Sequence, residues 1–322
     1  MGHSLRGIPT FLLRRRLLGL VCSLASAGAT LAATAPTPRM LLLDAAIVGT
    51  DIVAVGERGT ILRSSDQALS WKRFLSPTRA TLTGISFAPA IPSRSVQHGW
   101  SVGHDATILA TTDAGRSWVR QFQGENIQDS FLDVLALDEH RVIAIGAYAL
   151  YFTTTDGGRT WVKQKAGDDD PHFNRITRGP SGTLYIAGER GTLLRSADAG
   201  ANWTRLKAPY NGSFYGVMPL DRRTLVAHGL RGHIFRSVDD GVSWQPVAAP
   251  EPVLLAAGAQ LRSNFLVLAG QARTLLVSRD YGKSFVAVEA PPTTGLAELL
   301  ELEGGGLLAL GEAGVTLLPA PR

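Results

Sequence analysis

Val55-Gly56-Glu57-Arg58-Gly59-Thr60-Ile61-Leu62-Arg63-Ser64 recurs almost unchanged as Ala187-Gly188-Glu189-Arg190-Gly191-Thr192-Leu193-Leu194-Arg195-Ser196, and this recurrence decides how the chain is read. Self-similarity at a fixed period marks an array of supersecondary units, none of which can bury its apolar face alone. Divergent copies begin at Gly103, Gly146, Gly229 and Gly270, and a last one runs Gly311-Glu312-Ala313-Gly314-Val315-Thr316-Leu317-Leu318, which makes seven.

Each of the first six copies leads into a second motif, Ser/Thr-x-Asp-x-Gly-x-x-Trp. Its anchors Trp71, Trp118, Trp161, Trp203, Trp244 and Phe285 fall 47, 43, 42, 41 and 41 residues apart. The residue types suit a hairpin lock: Asp66, Asp113, Asp156, Asp198, Asp239 and Asp280 can accept backbone N–H bonds inside the turn, and the glycine supplies positive φ. The aromatic anchor is then free to pack between units. These residues, the Asp-box or BNR repeat, recur with the fold and not with a site, so they are read as structural. The first box has Ala68 in place of glycine, which predicts a looser turn there.

Within one period the chain alternates apolar segments, such as Leu132 to Leu137, Val142 to Ile145 and Leu150 to Thr153, with a short fourth after the box tryptophan. Four short strands in about 40 residues is the pattern of a propeller blade. The expected fold is all-β, a seven-bladed β-propeller of four-stranded antiparallel blades. The seventh copy stops at Leu317-Leu318 without a box, and an unpaired edge invites aggregation. The segment around Thr37 to Leu43 is therefore expected to supply its missing strand, closing the ring with N- and C-terminal strands in the last blade.

A chain of 322 residues with 45% hydrophobic content suffices for one large closed domain, placed at 36–322. Residues 1–35 read as a signal peptide: Arg14 to Arg16, an apolar run from Leu17 to about Ala27, then small residues, with cleavage expected near residues 29–35. Arg14-Arg15-Arg16-Leu17-Leu18 also loosely matches a twin-arginine leader, and the export route stays open. The expected location is periplasmic or otherwise exported, with no bilayer insertion after cleavage. Arg6, Arg14, Arg15 and Arg16 all lie in the leader, which has no acid, so the formal charge of +5 falls to +1 without it. A near-neutral mature chain lacks the basic footprint of a nucleic-acid binder. Cys22, the only cysteine, also lies in the leader, which leaves no thiol for catalysis or metal binding.

The Val-Gly-Glu-Arg-Gly-Thr-Ile-Leu-Arg-Ser run joined to an Asp box resembles the photosystem II stability/assembly factor family, over residues of about 40 to 318. That resemblance implies a seven-bladed propeller outside the cytoplasm and a protein client, a membrane-complex subunit, handled without enzymatic chemistry.

In a propeller the turns between the second and third strands emerge on one face around the channel. They offer Glu57, Arg58, His104, Asp105, Tyr148, Glu189, Arg190, Arg231, Arg273 and Glu312 as a partner-binding ring. Arginine dominates, and only five lysines occur in the chain. Arginine binds carboxylates bidentately and is common at interface hot spots. The connections between blades join this face with Arg79, the Asp168-Asp169-Asp170 run, His172, Asn174, Tyr210, Phe214 and Tyr215. His98, His104, His228 and His233 lack metal-ligand spacing, and no cofactor or metal is expected. A monomer is expected. Two other readings stay open: a glycan-active, glycosidase- or sialidase-like enzyme using carboxylates such as Asp105, Glu57, Glu189 or Glu312 across the channel mouth, and a structural accessory of an envelope export complex. Against the first, the early Arg-Ile-Pro motif of sialidases is absent, as are the nucleophile elbow and the phosphate loop.

Overall fold

The computed structural model describes residues 39–90, 96–167, 169–289 and 295–321. The expected leader lies outside the described residues.

Seven antiparallel sheets follow one another along the chain. The first comprises strands Leu42–Val48, Asp51–Gly56, Thr60–Ser64 and Lys72–Phe74, paired in that order, and the next five repeat the plan. The first strands of successive blades, Leu42–Val48, Leu82–Phe87, Phe131–Ala136, Phe173–Arg178, Phe214–Pro219, Leu255–Gln260 and Leu296–Glu301, pack against one another in sequence, and the last returns to the first. They are the inner strands of a closed seven-bladed β-propeller. Among the described residues the helical content is two three-residue 3-10 turns, Glu57–Gly59 and Leu230–Gly232.

The core consists of seven apolar clusters, one at each interface between blades. Trp118, for example, packs with Val53 and Ile61 of blade one and Leu82 of blade two. Trp71, Trp161, Trp203, Trp244 and Phe285 serve the other interfaces that have a box aromatic. Trp100, the tryptophan outside the boxes, is 1% exposed and donates to Gln121 Oε1 at 2.9 Å.

The boxes are hairpin locks, as their composition predicts. In blade two, Asp113 Oδ1 accepts the N–H groups of Arg116 and Ser117, both at 2.9 Å. Two further partners escape a motif reading centred on Asp, Gly and Trp. The leading Ser or Thr accepts the N–H of the residue at the glycine position, as in Thr111 with Gly115 at 3.0 Å. The residue before the tryptophan binds the second aspartate oxygen, as Ser117 Oγ does at 2.6 Å. The first box is not looser. Ala68 takes φ 68° and its N–H still reaches Ser64 Oγ at 2.9 Å, so the missing glycine is absorbed as local backbone strain.

The segment expected to close the ring is described only in part. Among the described residues the seventh sheet has three strands, Leu296–Glu301, Leu307–Gly311 and Gly314–Leu318. Leu42 and Leu43, expected there, instead begin the inner strand of blade one, where Leu42 pairs with Gly56; Thr37 lies outside the described residues. The physical reason is that blade one needs this strand to cover Asp51–Gly56. What joins blade seven to blade one among the described residues is apolar: Leu302, Leu308, Leu310 and Val315 pack with Leu42, Ala45, Ile52 and Leu62.

Candidate functional site

Two places on this frame gather charged and aromatic side chains: the turn face at one end of the blades and the wall of the central channel.

On the turn face, one backbone bond repeats seven times. The N–H groups of Glu57, His104, Ala147, Glu189, Leu230, Gln271 and Glu312 donate to the carbonyls of Leu41, Thr81, Ser130, His172, Ser213, Leu254 and Gly295 at 2.9–3.1 Å. Each bond ties the turn after a blade's second strand to the residue before its inner strand, so turns and blade connections share a face. In six blades the two central turn residues both have positive φ, as in a type I′ turn: Arg58-Gly59, Asp105-Ala106, Tyr148-Ala149, Arg190-Gly191, Arg231-Gly232 and Ala272-Arg273. Blade seven has a tighter turn at Glu312-Ala313.

Of the predicted ring, Arg58, His104, Asp105, Tyr148, Arg190, Arg231, Arg273 and Glu312 are exposed. Glu57 and Glu189 are half-buried and turn back to the blade connections. Glu57 Oε1 accepts the Leu41 N–H at 3.2 Å, and Glu189 Oε1 lies 3.7 Å from His172 Nδ1. The aromatics gather over blades three to five, where Tyr148 meets His172 edge-on at 4.6 Å and Tyr210 stacks on His233 at 4.0 Å. Arg190 pairs with Asp170 at 3.0 Å; Asp168 lies outside the described residues. Phe214, counted with the connections from sequence, is fully buried in an inner strand.

The channel wall carries a cluster that the sequence reading missed. Each inner strand bulges at its start, and the third residue around the ring is Asp44, Gly84, Asp133, Arg175, Gly216, Ala257 and Glu298. Arg175 donates to Glu298 Oε2 and approaches Asp44 Oδ1 at 3.6 Å. The carboxylates also fasten neighbouring blades together: Asp44 Oδ2 accepts the Ile85 N–H at 2.7 Å and Asp133 Oδ2 that of Ile176 at 2.9 Å. The available signal was a charged residue two places after the apolar start of four inner strands, in a segment otherwise apolar.

Burial, partly offset by Arg175 and by the N–H bonds of Ile176 and Val134, pushes Asp133 up to about 6. Burial also raises Asp44 well above the usual carboxylate range against the pull of Arg175, with Glu298 and Asp133 adding to the rise. His228, which has no metal-ligand spacing in the sequence, is buried beside this wall. Its Nδ1 lies 3.0 Å from the Leu255 carbonyl, and burial, with Arg175 adding, holds it down at about 4. The two directions oppose each other. Between about pH 4 and 6 the native state holds a proton on Asp133 that the unfolded chain has lost, so this group favours folding as pH falls. Over nearly the same window the unfolded chain protonates a histidine that the native state keeps neutral, which disfavours folding as pH falls. We therefore expect His228→Asn, which keeps a donor near the Nδ1 position, to gain about 1–3 kcal/mol relative to wild type on going from pH 7 to 4. Urea midpoints across that range test it, and parallel profiles for the two proteins would refute it. Below pH 4 both should lose stability, because side-chain and backbone bonds within the boxes hold Asp156, Asp198 and Asp239 at about 2.

Comparison with known proteins gives the following. Residues 121–264 match the family model described as Photosynthesis system II assembly factor YCF48. The fold is similar to that of YCF48 from Cyanidioschyzon merolae, at 16% identity and a TM-score of 0.71 over 89% of this chain and 97% of the other. A structure described as YCF48 bound to D1 peptide gives 21% identity and a TM-score of 0.69 over 89% and 95%. The WD40 propeller domain of Doa1 is similar in fold alone, at 12% identity and a TM-score of 0.69 over 90% and 96%. No curated protein sequence matches. With its Gly-Glu-Arg-Gly turns, its six Asp boxes and its seven blades, the chain resembles the photosystem II assembly factor family, whose model matches its residues 121–264.

Proposed function

We propose that this protein is a non-enzymatic binding platform that assists the assembly of a membrane-complex subunit outside the cytoplasm, acting as a monomer through its turn face. The observation that carries this reading is the turn ring itself. Seven equivalent backbone bonds hold the turns, and the side chains they present outward include Arg58, Arg190, Arg231, Arg273 and Tyr148. Loops held on a rigid frame are where binding residues concentrate, and arginine with tyrosine is the composition of interface hot spots. The likeness to a propeller bound to a D1 peptide supports a protein client. The basic, apolar and small-residue order of residues 14–35 supports export.

The test is an affinity isolation of C-terminally tagged protein from detergent-solubilised envelopes, comparing wild type with an Arg58→Ala/Arg190→Ala/Arg231→Ala variant. All three side chains are exposed, so the variant should fold. We expect recovery of a specific membrane protein to fall roughly tenfold or more. An unchanged partner set would move the interface off the ring. Mass spectrometry of the recovered N-terminus should find a start near residues 29–35, and an intact leader on soluble protein would refute export.

A further inference from the structure

The two most similar repeats use one arginine in different ways. Arg73 lies opposite Leu62 in blade one, and Arg205 lies opposite Leu194 in blade four, so the two are equivalent. Arg73 Nη2 donates to Thr60 Oγ1 at 3.4 Å. The matching threonine in blade four, Thr192, is 1% exposed, and its hydroxyl has no hydrogen-bond partner among the described residues. Arg205 has turned away from it: Nη1 lies 3.0 Å from Asp169 Oδ2 and Nη2 lies 3.2 Å from the Arg190 carbonyl. The blade-one connection, 75–81, has no acid that could draw Arg73 out in the same way.

A buried hydroxyl left without a partner is rare and asks for an explanation. Here Thr192 lines a cavity of about 360 Å³ whose apolar wall is Phe173, Leu194 and Trp203 and whose rim holds Arg205 and Asp169. We propose that this cavity is a carboxylate-binding subsite, distinct from the ring, that takes an apolar residue bearing a carboxylate from a client chain. The carboxylate sits on the Arg205 guanidinium, which matches it in bidentate geometry, and the Thr192 hydroxyl donates to it. The apolar body lies against Phe173, Leu194 and Trp203. Asp169 is the protein's own stand-in for the incoming carboxylate. Its side chain is 69% exposed and that of Arg205 is 45% exposed, so the pair is solvent-screened and readily exchanged. The subsite rests on the platform reading only for the source of the ligand.

The experiment uses the mature protein with ¹⁵N-labelled indoles and follows the Trp203 signal, assigned by Trp203→Phe. Three peptides are titrated: acetyl-Ala-Ala-Leu with a free C-terminal carboxylate, the same peptide as its amide, and the amidated acetyl-Ala-Leu-Glu-Leu. We expect a carboxylate-bearing peptide to move the Trp203 signal and the amide of the first peptide to leave it in place. Whichever carboxylate peptide binds shows whether a chain terminus or an acidic side chain is taken. Asp169→Asn should tighten binding at least threefold, Thr192→Val should weaken it several-fold, and Arg205→Met should abolish it while Arg73→Met has no effect. Flat titrations in both wild type and Asp169→Asn overturn the proposal, as does equal binding of the amide. If the ring variant loses its membrane partner while these titrations are flat, the subsite falls and the platform stands. If the peptide binds but the ring variant keeps every partner, the subsite stands and the ring falls.

Discussion

Arg175→Met should cost about 3–5 kcal/mol of stability, the range for breaking a buried ion pair by removing one partner. Asp44, Asp133 and Glu298 are each about nine-tenths buried or more, and Arg175 is the guanidinium that offsets their charge. Its own ionised state is favoured well beyond the ordinary value because the pull of Glu298, Asp133 and Asp44 outweighs burial. Methionine fills a similar volume but leaves three carboxylates facing one another across the channel. They would have to protonate or draw in water, and the bonds from Asp44 to blade two and from Asp133 to blade four would weaken with them. Adding Glu298→Gln to Arg175→Met should recover part of the loss, because it removes the carboxylate that Arg175 contacts most directly. Urea midpoints of the three proteins at pH 7 measure both effects. A loss under 1 kcal/mol for Arg175→Met would mean that the carboxylates are already neutral and that the cluster is held by its backbone bonds alone.

This cluster also marks where the sequence stopped being informative. The blade count, the box hairpins and the packing of box aromatics between blades were all legible, because each is carried by residues that recur at every period and act within one or two turns of the chain. The channel cluster recurs at only four of seven inner strands. Its meaning depends on Arg175 meeting Glu298, 123 residues further along the chain, which no local pattern encodes. The same limit applies on the turn face. Topology put all ten ring residues at one end of the blades, but whether a side chain points outward depends on its neighbour. Glu57 and Arg58 are adjacent in sequence; the first turns back to Leu41 N–H, and the second, at φ 54°, is exposed. Closure shows a related limit. The missing box shows that the seventh repeat supplies no fourth strand of its own, but composition does not mark where the chain enters the inner strand of blade one at Leu42.

Gly146→Ala should cost about 3 kcal/mol or more, at the upper end of the penalty for forcing an added methyl into a packed site. The seven glycines that open the repeat motif, Gly56, Gly103, Gly146, Gly188, Gly229, Gly270 and Gly311, are not needed for left-handed backbone, since none has positive φ. They are needed for room. A Cβ on Gly146 would lie 2.1 Å from the Ser130 carbonyl oxygen and 2.8 Å from Phe131 Cα, both backbone atoms that cannot swing aside. The Ala147 N–H bond to that same carbonyl would be pushed apart, and with it the turn that carries Tyr148. Gly49 supplies the internal control. It has φ +63° with nothing within 4 Å of its would-be Cβ, so Gly49→Ala should cost only about 1 kcal/mol, the left-handed penalty alone. If urea unfolding gave equal losses for the two substitutions, the close approach would not be what fixes glycine at the head of each repeat. A several-fold larger loss at Gly146 would tie the residue that made the repeat visible in the sequence to the bond that sets the turn face in the fold.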